Sequence, residues 1–121
     1  MLTREDIFNH IKEKYGTTPD FPFKKFPRYA ALRHQPSRKW YGLIMNVSLQ
    51  QLGLAGTEEV DVLNLKCPPE LSGNLRDGET IIPAYHMDKE HWISIILDRI
   101  EPKTNEVYNL IEQSFHLTKK S

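Results

Sequence analysis

The stretch Pro83-Ala-Tyr-His-Met-Asp-Lys-Glu-His-Trp92, read with Lys66-Cys-Pro-Pro-Glu70 ahead of it, decides how this chain folds. Two histidines, a lysine, two acids, a tyrosine and a tryptophan fall within ten residues, directly before the apolar run Ile93-Ser-Ile-Ile-Leu97. A short apolar run bounded by polar residues reads as a buried strand, so the polar ten become the turn that leads into it. Ile81–His86 and Trp92–Leu97 are predicted strands flanking a Met87–His91 turn. Val60–Lys66 is a third strand, apolar on both faces as a central strand should be. Pro68 and Pro69 stop it and open a short helix through Arg76, with Gly78 behind.

Upstream, Thr3 is a suitable N-cap, Asp6 stands three residues on, and Leu2 with Ile7 has the spacing of a hydrophobic staple. Ile7, Ile11 and Tyr15 form one apolar stripe, and Gly16 closes the helix. Residues 17–27 hold three prolines and three phenylalanines. They are expected to run extended, with the aromatic rings packed on the core. A hairpin follows: Tyr29–Arg33, a polar turn over His34–Lys39, then a longer strand over Trp40–Ser48. Strict alternation in that strand puts Tyr41, Leu43, Met45 and Val47 on one face and Trp40, Gly42, Ile44 and Asn46 on the other. Residues 49–58 read as a loop with one helical turn. A closing helix from Thr104, its expected cap, to Lys119 carries Val107, Leu110, Ile111, Ser114 and Leu117 on one face. Two terminal helices around a mostly antiparallel sheet give an α+β fold, and 121 residues suit one domain.

The 16 basic residues balance the 16 acidic ones. Overall neutrality speaks against strong non-specific nucleic-acid binding, but the charge is unevenly spread. Residues 24–47 carry six cations (Lys24, Lys25, Arg28, Arg33, Arg38, Lys39) and no acid. Charges near the start leave no room there for a signal-peptide core, and no apolar run reaches the roughly 20 residues of a membrane span. The one cysteine, Cys67, suits a reducing compartment. A soluble cytoplasmic protein, monomeric and away from the membrane, is the expectation.

Lys66-Cys-Pro-Pro-Glu70 and Pro83–Trp92 at this spacing make the chain resemble the MmcQ/YjbR family of small bacterial proteins. Asp61-Val-Leu-Asn-Leu65, the Trp40–Val47 strand and Leu110-Ile-Glu-Gln-Ser-Phe115 extend the resemblance over essentially the whole length. The resemblance implies a CyaY-like (frataxin-like) α+β fold and a DNA-binding role with two wings. Frataxins bind iron through an acidic first helix. Here that helix mixes its charges, and iron handling is not carried over.

DNA binding needs cations on exposed, rigid mounts. The hairpin with Arg33, Arg38 and Lys39 offers one wing, and a cluster of Lys66, His86, Lys89, His91 and Trp92 offers the other. The two groups are expected on one surface. Trp92 and Tyr85 are candidates to stack on an unpaired base. His86, Asp88 and His91 do not match zinc-ligand spacing, and no metal or cofactor is expected. Cys67 with a distant histidine is a conceivable thiol–imidazole pair, yet its place before two prolines suits packing, and no catalytic residue is assigned. The alternative is a non-catalytic module for an unknown protein partner or small ligand. In that reading Tyr85 and Trp92 seal the sheet against the last helix, and Ser114 bonds back to the Leu110 carbonyl.

Overall fold

Local signals at the N-terminus act as the sequence demands. The Thr3 hydroxyl accepts the Asp6 amide and the Asp6 carboxylate accepts the Thr3 amide, closing a capping box. Helix α1 runs Arg4–Tyr15 and ends at Gly16, whose φ of 70° is the left-handed conformation glycine adopts without strain. The structure is a computed structural model and describes residues 2–100 and 103–119. The remaining elements are β1 (Ala30–Arg33), β2 (Trp40–Ser48), β3 (Glu59–Lys66), α2 (Pro69–Leu75), β4 (Ile81–Pro83), β5 (Trp92–Ile96) and α3 (Thr104–Thr118). Two 3-10 turns complete the set, Gln50–Leu52 in the loop after β2 and Leu97–Arg99 after β5. Thr104 is the first residue of α3 and not its cap; Lys103 precedes it with no side-chain cap bond.

The five strands form one antiparallel sheet in the order β1-β2-β3-β5-β4, an α+β architecture as expected. Alternation sends successive side chains to opposite faces. One face carries Ala30, Leu32, Ile44, Leu63, Leu65, Ile93 and Ile95 and packs against Ile7 and Ile11 of α1 and Val107 and Ile111 of α3. The other carries Ala31, Leu43, Met45, Val47, Val60, Val62, Ile82 and Ile96. Among the described residues, loops and the Gln50–Leu52 turn cover this second face, through Phe23, Tyr29, Leu49, Leu52, Leu54, Tyr85 and Met87.

Strict alternation fails at one place. Pairing runs Leu32↔Gly42 and then Arg33↔Trp40, so Tyr41 is an extra residue in β2. This bulge reverses the expected faces of two aromatics. Tyr41 turns to the helical side, where it meets Tyr15, His34 and Phe115. Trp40 turns to the helix-free side, beside Phe23. Burial raises the Tyr41 phenol to about 12, and its hydroxyl donates to Thr17 Oγ1 at 2.6 Å. Gly42 follows because a Cβ there would lie 2.9 Å from Leu32 Cδ1.

The bulge also explains Ser114. Its hydroxyl donates to the Tyr41 carbonyl at 2.6 Å and accepts the Lys66 amide at 2.9 Å, bridging β2 and β3 from α3. The expected bond from Ser114 to Leu110 gives way to this one. Thr118 makes the bond within the helix, donating to the Ser114 carbonyl at 2.8 Å. Leu117 is 42% exposed and lies off the buried stripe.

Candidate functional site

The register brings the predicted residues to one end of the sheet. β1 ends at Arg33 opposite Trp40, where β2 begins; β3 ends at Lys66 opposite Trp92, where β5 begins; β4 ends at Pro83 opposite Ile93. The 34–39 turn and the 84–91 turn therefore leave the sheet at the same end. By alternation Arg33, Trp40, Lys66 and Trp92 project from the helix-free face. Tyr85 and Trp92 thus lie away from α3, contrary to the expectation that they seal the sheet against it.

Each turn carries a strained residue. Among the described residues, the non-glycine residues with positive φ are Arg38 (68°) and His86 (62°), one in each turn. Left-handed backbone costs a residue with a Cβ free energy, so both turns hold a conformation that their surroundings must stabilise. In the first turn Arg33 Nε donates to Asp20 Oδ2 at 2.8 Å, Arg33 Nη1 donates to the Arg38 carbonyl at 3.1 Å, and the Arg33 guanidinium lies 5.7 Å from the Trp40 ring. Arg38 reaches the same Asp20 oxygen at 3.5 Å and is mostly exposed, as is Lys39. Asp20 is held in place by a two-way backbone bridge to Ala31.

In the second turn the structure departs from the expected strand to His86, because β4 stops at Pro83. Two buried polar side chains take the chain over from there. Ser94 Oγ accepts the Tyr85 amide at 2.9 Å, and Asn64 Nδ2 donates to the Tyr85 carbonyl at 2.9 Å. Ser94 in turn donates to Asn64 Oδ1. Polar groups fully buried inside a sheet persist when every bond is made, and here they pin the start of the turn. Lys89 Nζ donates to the Ala84 carbonyl at 2.9 Å, and the Arg76 guanidinium donates to the Lys89 carbonyl. His91 Nδ1 meets Asp88 Oδ2 at 2.7 Å. That contact, with the Glu90 amide, holds the Asp88 carboxyl below its ordinary value.

Between the two turns the helix-free face opens into an aromatic groove of about 340 Å³. Leu43 and Met45 of β2 form its floor; Phe23, Phe26, Tyr29 and Trp40 stand on one side, and His86 and Met87 on the other. Phe26 stacks on Tyr29, with centroids 4.6 Å apart and ring planes at 18°, and remains 50% exposed. Of the three phenylalanines expected to pack inward, only Phe23 does; Phe21 is also 50% exposed. His86 also lines a neighbouring cavity of about 420 Å³ with Tyr85 and Lys89.

Cys67 is buried in the helical-side core, burial raises its thiol, and its amide donates to the His91 carbonyl. Among the described residues no three His, Cys, Asp or Glu side chains come together as a metal site. Among the described residues no helix is long and apolar enough to cross a membrane. Sequence reasoning missed Asp20, Asn64, Ser94 and the Phe23–Phe26 wall. Ser94 left a signal, being the lone hydroxyl inside the apolar strand Trp92–Ile96.

The model of the family described as YjbR matches residues 12–117. The Bacillus subtilis (strain 168) protein YyaQ, described as uncharacterised, is 69% identical over 119 residues, covering 98% of this chain and all of that one. A crystal structure of a Pseudomonas syringae protein superposes with a TM-score of 0.90 at 45% identity, over 97% of this chain and 99% of that one. A Deinococcus radiodurans protein with a DUF419 domain gives a TM-score of 0.74 at 25% identity, over all of this chain and 81% of its own. With a family model matched from α1 to α3 and a relative alike over nearly its full length, the chain belongs to the YjbR family.

Proposed function

We propose that this protein binds DNA without catalysing a reaction, using the strand end from which its two turns project. The observation that carries the reading is the shared register of Arg33, Trp40, Lys66 and Trp92. The turns leave from the β1/β2 and β5/β4 sides, three strand spacings apart. At about 4.8 Å per spacing the tips stand about 14 Å apart. A B-form major groove is about 12 Å wide, so two tips at this separation suit the phosphates on either side of it. Both tips are braced through their own backbones, which is what a phosphate-positioning cation requires.

Charge follows the same logic. No acid occurs between residues 21 and 57, a span that includes the first tip. The Arg38–Asp20 contact is long and exposed, and such pairs contribute little, so a phosphate can replace Asp20 at small cost. Arg33 is held more firmly and acts as the mount for Arg38.

A salt titration of duplex binding tests the proposal. Log affinity should fall linearly with log salt, and replacing Arg38 and Lys39 by alanine should flatten the slope by about one to two units. Absence of binding at low salt, or an unchanged slope, would overturn it.

A further inference from the structure

We propose that the aromatic groove of the helix-free face receives an unpaired base, which makes single-stranded DNA a ligand alongside duplex. This rests on the DNA-binding reading above and assigns the groove a task that the tips do not perform. At about 340 Å³ the groove sits at the small end of the range for ligand pockets. That size suits one planar ring system. Its lining is mostly rings and thioethers, with Phe23, Phe26 and Trp40 beside Met45 and Met87. Such surfaces hold a π-face without reading its hydrogen-bonding edge. Tyr29 covers one face of the Phe26 ring and the ring is still half exposed, so a base would extend an existing stack.

Charge complementarity identifies the ligand as a nucleotide and not a neutral aromatic. The loop bearing Phe23 and Phe26 also carries Lys24 and Lys25, both exposed. The Arg33 guanidinium lies over the Trp40 ring at the groove's end. A ring in the groove would thus lie near the Arg33 guanidinium, with Lys24 and Lys25 on the loop that lines the groove. His86 belongs both to the groove wall and to the second turn, so a strand held at the tips can direct a base inward.

The test compares a fluorescently labelled oligothymidylate with a blunt duplex, titrated against the full chain and its Phe26→Ala and Phe26→Tyr variants. Phe26→Ala should weaken single-strand binding about tenfold, change duplex binding less than twofold, and be rescued by Phe26→Tyr. The inference fails alone if duplex binds while the single strand does not, or if Phe26→Ala affects both ligands equally or neither. If neither ligand binds, the DNA-binding reading fails with it.

Discussion

The two faces of the sheet are built from similar strands and finished differently. On the helical face Ile7, Ile11, Val107 and Ile111 are fully buried against aliphatic strand residues, and the polar Ser114 spends its hydroxyl joining β2 to β3. On the other face no α-helix among the described residues lies over the strands, and the covering side chains Phe23, Trp40, Leu52, Leu54, Tyr85 and Met87 are all only partly buried. Covering apolar surface stabilises by about 25 cal/mol per Å². A face left with half-covered rings forgoes that gain, and its buried polar pair, Asn64 and Ser94, holds a turn in place instead of a helix. One face is closed by two helices; the other is the one proposed to bind DNA.

Truncation on each face should break this comparison if it is wrong. Ile111→Ala opens a cavity under α3 and should cost about 3 kcal/mol in urea unfolding, whereas Phe26→Ala should cost less than about 1 kcal/mol because the ring is already half exposed. Equal losses would mean that the groove wall is structural.

The next effect is smaller and belongs to the helical face alone. The buried His34 ring meets Thr118 Oγ1 at 2.8 Å. Thr118 already donates its hydrogen to the Ser114 carbonyl, so Nε2 of His34 must be the donor. Burial, and then the charge of Lys119, hold this imidazole below its ordinary value, against a hydrogen bond with the Phe115 backbone; His116 and Lys39 add smaller pushes downward. The fold prefers neutral His34, so the unfolded chain takes up the proton first. Stability is therefore fully present above the ordinary histidine value of about 6.5 and falls as pH drops below it. Unfolding midpoints measured at about pH 7.5 and about pH 5.5 should differ more for the wild type than for His34→Gln. Burial, and then the charge of Lys14, lower His10 as well, so part of the dependence should survive the substitution.

Elements whose signals are local were legible in the sequence. Helix α1 followed from Thr3, Asp6 and Gly16, and β3 followed from a run apolar on both faces. What escaped was set across strands. The bulge at Tyr41 depends on how β1 pairs with β2, so the faces of Trp40 and Tyr41 came out reversed. The end of β4 depends on Asn64 and Ser94, distant in sequence, capturing the Tyr85 backbone. Of the candidate site, the cationic and histidine residues could be named from their density, whereas the groove could not. Alternation shows that a sheet has two faces, but not which one the helices leave open.

Amide chemical shifts followed during titration with duplex DNA test the central claim most directly. The account predicts that the largest changes fall at residues 33–40, at Lys66 and at residues 84–92, while the exposed sides of α1 and α3 stay still. Changes concentrated on the helices, with the strand end unmoved, would contradict it.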